Sequence, residues 1–321
     1  SDSVKAIVAA GKEPMIDCEH FFDGYKANAA YALDCAKTAY ASGARWIVLC
    51  DTNGGTLPDE IEAIISVLTE YVPGTHLGIH THNDTGNAVA NSLAAVRAGV
   101  RQIQGALNGL GERCGNADLV SLIPTLLLKP AYSDYYTTGI TLSRLKELTS
   151  ISRAMDELLN RAPDRHRPYV GGSAFATKAG IHASAVIKDP RTYEHVEPDA
   201  VGNRRKLLVS DQAGKSNILA ELERLSIHLD KDDPRVIRLL DAVKEREAEG
   251  YAYEGADASF FLLAKRVLGE VPEFFIVERF KVNVERRYNA IGELATVAEA
   301  IAKVRVGDEV LISAAEGNGP V

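Results

Sequence analysis

The stretch His76-Leu77-Gly78-Ile79-His80-Thr81-His82-Asn83-Asp84 decides how the rest of the chain is read. It describes a strand over 76–82, and alternation along a strand sends His80 and His82 to one face and Leu77 and Ile79 to the other. Two neutral imidazoles projecting from one rigid element form half of a divalent-metal site. Taken alone, the pair reads equally as two polar residues closing a strand. Asn83 and Asp84, directly after it, favour the metal.

Working outward, further strands are expected over 14–19, 45–50 and 99–104, with helices over 27–42, 58–71 and 88–98. Strands alternating with helices mean parallel strands joined by crossovers. An open doubly wound sheet and a barrel both satisfy that pattern. The polar residues favour the barrel. Asp51-Thr52-Asn53-Gly54-Gly55, His80 to Asp84, and Asn108-Gly109-Leu110-Gly111-Glu112 each follow the C-terminal end of a strand, and a barrel gathers those ends into one site. Four β/α units are visible where a closed barrel has eight. The expectation is therefore an α/β fragment, with the C-terminal half of a (β/α)8 TIM barrel over 1–130. After Pro130 an amphipathic helix is expected over 141–160, then a Gly/Ala/His-rich region at 171–187 and a charged helix over 231–250. These make a mostly helical linker region over 131–272. From Phe274 the composition turns strand-like, at 275–277, 281–284 and 304–306, which reads as the start of an α+β regulatory domain over 273–321, cut short.

Composition removes several classes of function. The 321 residues are 46% hydrophobic and 25% charged, as in an ordinary globular chain of about two domains. Lys and Arg number 36 against 44 acidic residues, so the net charge of -8 argues against a nucleic-acid partner. No apolar run approaches the roughly 18 to 20 residues of a membrane helix, and Ser1-Asp2-Ser3 opens no signal peptide. Cys18, Cys35, Cys50 and Cys114 form no CxxC pair, which points to a reducing cytoplasm. None is read as having an obvious activating basic partner, so a thiol nucleophile is not expected. Two nucleotide-loop imitations fail: Gly109-Leu110-Gly111 needs a glycine where Cys114 stands, and Gly214-Lys215-Ser216 needs one at Val209.

Other candidates stay open on the residues alone. Glu19 and Asp17 share a face at the end of the first strand, and inward paired carboxylates suit proton transfer or ligand contact, because an unpaired buried carboxylate is costly. Glu112 is either solvated or substrate-positioning. Asn116 either caps a helix beginning at Ala117 or serves the site. Spacing alone gives His182, outside the barrel, no role beyond that of a surface histidine.

His80-Thr81-His82-Asn83-Asp84-Thr85-Gly86-Asn87-Ala88-Val89-Ala90-Asn91-Ser92, followed by Asn108-Gly109-Leu110-Gly111-Glu112-Arg113-Cys114-Gly115-Asn116, resembles the α-isopropylmalate, homocitrate and citramalate synthase family. The similarity continues through Ser173-Ala174-Phe175-Ala176-Thr177-Lys178-Ala179-Gly180-Ile181-His182 to the end of the chain. Residues 19–28, 201–205 and 210–217 look most like the citramalate branch.

The resemblance implies an acyltransferase that condenses acetyl-CoA with an α-keto acid and then hydrolyses the thioester. The keto acid would be pyruvate, in isoleucine biosynthesis. The alternative within the family is 2-isopropylmalate synthesis from 2-oxoisovalerate, in leucine biosynthesis. It also implies a divalent cation (magnesium, manganese or zinc) at His80, His82 and Asn116 that polarises the ketone. Thr52, Glu19, Asn108 and Glu112 would contact substrate. Glu19, His182 and Tyr193 would be catalytic, the last two acting in the neighbouring subunit of a homodimer. The family's first barrel strand carries an Arg-Asp-Glu motif with no counterpart here. The metal site thus lacks its carboxylate, and residues 1–321 alone are expected to be inactive. A non-catalytic interaction or regulatory fragment is the reading from another class, and divalent-metal binding separates the two.

Overall fold

A computed structural model describes residues 1–178, 180–207, 214–253 and 256–317. Ala179 of the 173–182 motif, Val209, residues 210–213 of the 210–217 similarity and the last four residues lie outside them. Contacts divide the chain into two compact units, Ser1–Leu207 and Leu208–Val321.

The first unit opens with α1 (Asp2–Ala9), β1 (Met15–Cys18), α2 (Phe21–Ala27), α3 (Ala29–Ala41), β2 (Trp46–Asp51), α4 (Pro58–Thr69), β3 (Leu77–Thr81), α5 (Ala88–Arg97) and β4 (Gln102–Gln104). The strands pair in parallel in the order β1-β2-β3-β4, so the α/β alternation is as expected. Most boundaries shift by one to three residues, and two of the shifts have a visible cause. The helix placed over 27–42 starts at Ala29, because Asn28 turns to φ -155° and its Oδ1 accepts the Tyr31 N–H at 3.1 Å. The strand placed over 99–104 starts at Gln102, since Gly99, at φ +118°, is still turning the chain.

The two faces of the sheet have different fates. Ile47, Leu49, Leu77 and Ile79 are fully buried against Ile61, Ile65 and Leu68 of α4 and Ala94 and Ala95 of α5. Each large aliphatic buried there contributes about 1.5–3 kcal/mol. The opposite face carries Asp17, Val48, Gly78 and Gln102 in one row, and Cys50, His80 and Gln104 in the next. Gln104 Nε2 lies 3.1 Å from Met15 Sδ and 3.4 Å from Asp17 Oδ1. In a flat sheet the outer strands β1 and β4 would stand about 14 Å apart, three spacings of roughly 4.8 Å. The sheet is therefore rolled, with this face concave. Among the described residues, the outer edges of β1 and β4 pair with no further strand.

Beyond β4 follow a 3-10 turn at Leu107–Gly109, α6 (Leu119–Leu128), α7 (Pro130–Ser133), α8 (Leu142–Leu145), α9 (Leu148–Leu158), β5 (Ala176–Thr177), α10 (Gly180–Lys188) and β6 (Lys206–Leu207). The single helix expected over 141–160 is thus two. Lys146 and Glu147 form the turn between them, and Gly202 seats so close that a Cβ on it would stand 1.9 Å from the Lys146 carbonyl oxygen. Val120 of α6 shares a core with Leu145, Leu148, Tyr169, Val170, Phe175 and Val201. A second, smaller core, in which Ala117 and Leu122 pack with Ala88 of α5 and Ile103 of β4, fastens the segment after β4 to the β/α part of the unit.

In the second unit, α11 (Lys215–Arg224), α12 (Pro234–Ala248) and α13 (Asp257–Val267) enclose Ile218, Leu222, Val236, Leu239, Val243 and Phe260. Asp233 caps α12 and Pro234 takes its first position, which sets the start of the charged helix expected over 231–250. The strand-like tail forms β7 (Ile276–Tyr288), β8 (Leu294–Val306) and β9 (Glu309–Gly317), an antiparallel meander. No helix among the described residues is long and apolar enough to cross a membrane.

Candidate active site

β3 delivers His80 and His82 to the same end of the sheet, with ring centroids 5.3 Å apart. His80 Nδ1 lies 2.9 Å from Gln104 Oε1. An amide oxygen only accepts, so in this contact Nδ1 is the donor and the hydrogen bond is made away from Nε2. His82 faces Asn116 across an isolated antiparallel bridge. The Ala117 N–H donates to Thr81 O at 3.0 Å and the Asn83 N–H to Gly115 O at 2.9 Å, which hold that bridge from both sides.

The loop after β4 is shaped to present Asn116. Its Nδ2 donates to Leu110 O at 3.2 Å, which turns Oδ1 the other way. Gly111 makes room for this amide, since a Cβ there would stand 2.4 Å from Nδ2. Gly115 has φ +90°, and a Cβ on it would stand 1.9 Å from Gly109 O. Asn116 is not a helix cap. α6 begins at Leu119, and Asp118 Oδ1 accepts the Val120 N–H at 2.9 Å, so the cap reading at Ala117 is corrected.

Among the described residues, His82 Nδ1 and Asn116 Oδ1 are buried without a hydrogen-bond partner. Burial, with Arg113 and His80 nearby, holds the His82 imidazole below its ordinary pKa and so neutral. Two imidazoles and an orphaned amide oxygen fit a divalent cation. Among the described residues no three His, Cys, Asp or Glu side chains are grouped to hold a metal, so the set stops at two imidazoles and an amide.

Arg113 ties the loops around these groups. Its Nε and Nη2 donate to Asp84 Oδ1 and Oδ2 at 2.8 and 2.9 Å, and Nη2 also donates to Thr52 O at 2.8 Å. The guanidinium holds the Asp84 carboxyl below the usual carboxylate range. Thr52 Oγ1 accepts the His20 N–H at 2.7 Å, linking the end of β2 to the end of β1. Behind the loops Asp51 is buried; its Oδ1 accepts the Thr56 N–H at 3.3 Å and its Oδ2 the Asn91 amide at 3.4 Å.

The remaining candidates separate. Glu19 and Asp17 are both exposed, and the concave face beside β1 is open. The Glu112 side chain is 84% exposed, with its carboxylate 3.8 Å from Arg113. Asn108 is buried; its Nδ2 donates to Ser152 O at 2.9 Å and Asp156 Oδ1 at 3.0 Å, and its Oδ1 accepts from Ser152 Oγ at 2.7 Å. Both amide hydrogens of Asn108 thus lock the loop to α9. α10 and the turn after it bring His182 and Tyr193 together on an exposed surface, with ring centroids 4.6 Å apart. Burial pushes the Cys18 thiol up to about 11 and the Cys50 thiol to about 12, so both stay protonated and inert.

Sequence reasoning missed Gln104, Arg113 and the Asp51–Asn91 pair. Gln102 and Gln104, alternating on a short strand, were the available signal for a polar inward face. Arg113 stood inside a quoted motif without a role.

Residues 1–151 match the family model described as HMGL-like, and residues 169–250 the one described as homocitrate synthase post-HMGL domain-like. A curated (R)-citramalate synthase from Geobacter sulfurreducens is 48% identical over 320 residues, 100% of this chain and 59% of that protein. One from Synechocystis sp. is 45% identical over 328 residues, with the same coverage of each chain. Two consecutive family matches and similarity along the whole chain thus liken it to the 2-isopropylmalate, homocitrate and citramalate synthases. A 2-isopropylmalate synthase from Cronobacter sakazakii, in the same family, is 33% identical over 290 residues, 89% of this chain and 52% of that one. The chain spans 59% of the length of the curated citramalate synthases named above. Within the family frame, the HMGL-like match contains His80, His82 and Asn116, and the second match contains His182 and Tyr193.

Proposed function

We propose that this protein condenses acetyl-CoA with pyruvate and hydrolyses the resulting thioester, releasing citramalate and CoA. One observation carries the choice of keto acid: identity is 43–48% to citramalate synthases and 32–33% to 2-isopropylmalate synthases. The rolled parallel sheet supports the reading of 1–130 as half of a (β/α)8 barrel, with the mouth at the C-terminal ends of β1 to β4.

His80 Nε2, His82 Nδ1 and Asn116 Oδ1 would hold the divalent cation. When bound, the cation supplies Lewis-acid polarisation of the ketone. The Thr52 hydroxyl accepts the His20 N–H and keeps its own proton to donate to the keto acid carboxylate. Glu19 and Glu112, both exposed, are the carboxylates that orient the substrates around it. The His182–Tyr193 pair acts in the neighbouring subunit of a homodimer, taking a methyl proton from acetyl-CoA and giving one to the alkoxide left when the new carbon–carbon bond opens the ketone. Arg113 keeps the three loops in register while this happens.

The test is a CoA-release assay of the full-length protein with pyruvate and 2-oxoisovalerate side by side. Preference for pyruvate by at least tenfold in kcat/KM is expected, and preference for 2-oxoisovalerate overturns the choice.

A further inference from the structure

Gln104 sits beside His80 in register on the neighbouring strand, and its amide reaches from the outer strand β4 to the other outer strand, β1. We propose that Gln104 is a positioning residue for His80, oriented in turn by Asp17, so that an Asp17–Gln104–His80 relay fixes which imidazole nitrogen faces the metal. The purpose of the relay rests on the metal reading above; its geometry does not.

The two ends of the amide are not interchangeable. Oε1 accepts from His80 Nδ1 at 2.9 Å, while Nε2 donates towards Asp17 Oδ1 at 3.4 Å, with Met15 Sδ at 3.1 Å. Turned over, the amide would set its oxygen against the Asp17 carboxylate, two acceptors with no proton between them. Asp17 therefore selects the amide orientation, and the amide selects the tautomer. Left to water, a neutral imidazole carries its proton mostly on Nε2, the nitrogen a metal needs free. The relay reverses that preference. A ligand histidine whose second nitrogen is held by such a partner binds its metal more tightly, typically by a factor of about 10–100. The curl of the sheet matters here, because only a rolled sheet brings a β1 carboxylate to a β4 amide.

Nitrogen-15 NMR of histidine-labelled, metal-free, intact protein reads the tautomer directly. His80 is expected as Nδ1–H in the native protein and as mainly Nε2–H in Gln104→Met, which keeps length and loses the acceptor. The Mn²⁺ dissociation constant should rise about 10–100-fold in the same variant. Gln104→Glu retains an acceptor oxygen and should restore both Nδ1–H and affinity to within a few fold. Asp17→Ala should give a mixture of tautomers. An Nε2–H His80 in the native protein overturns the proposal, as does an unchanged tautomer in Gln104→Met. A tautomer that responds as expected in a protein with no Mn²⁺ affinity upholds the relay and overturns the metal reading instead.

Discussion

Asn116 faces His82 across a single antiparallel bridge, and each residue ends in a buried polar atom that no hydrogen bond satisfies. An unsatisfied buried group costs about 1–3 kcal/mol. Asn116→Ala should therefore weaken Mn²⁺ binding at least tenfold, yet leave the metal-free melting temperature within a few degrees of the native value. His80→Ala and His82→Ala should abolish binding and turnover together. Calorimetric titration with Mn²⁺ and a turnover assay check this, and native turnover in either histidine variant contradicts the assignment.

His182 and Tyr193 share one exposed surface, apart from the groups gathered around His82. If the pair serves a neighbouring subunit, mixing inactive His82→Ala with inactive His182→Ala chains should return part of the activity through hybrid dimers. Heterodimers that form and stay inactive would place the pair in its own subunit or outside the reaction.

Asp51 should give the fold a pH dependence of defined sign. Burial raises its pKa above the ordinary 3.8, so the folded protein holds the proton more tightly than the unfolded chain does. Its contribution is then fully present below pH 3.8 and declines as pH rises through the folded pKa. Asp51→Asn should flatten the fall in melting temperature across that rise. Parallel melting-temperature curves for the two proteins would show that Asp51 titrates normally.

Gly115 has φ +90° and no room for a side chain against Gly109 O. Gly115→Ala should cost about 1–3 kcal/mol of stability and displace Asn116, lowering Mn²⁺ affinity as well. Urea titration together with metal titration separates the two effects. A stable variant with native affinity would mean that the loop yields freely.

Much of this was legible in the residues. The strands and the helices at Ala29–Ala41 and Pro58–Thr69 follow from apolar periodicity, whereas α2 was not foreseen, and two boundaries moved where Asn28 and Gly99 reset the backbone. The placing of His80 and His82 on one face needed only the two-residue period of a strand. How far Glu19 and Asp17 are exposed depends on what stands opposite them, which alternation does not encode.

Asn108 and Asn116 show where the sequence by itself stops. Both stand in one glycine-rich loop, and the resemblance gave both a place at the site. Only the tertiary structure separates them: Asn108 spends its amide on Ser152 and Asp156 of α9, while Asn116 keeps its oxygen unpaired beside His82. The same holds for Gln104, whose partner Asp17 lies 87 residues away. Sequence determined the α/β alternation, the shared face of the two histidines and the resemblance to the synthase family, because period and motif are local properties of a chain. Which polar atom is spent and which is left free was decided by packing, because a hydrogen bond is formed with whatever distant segment the fold brings within about 3 Å.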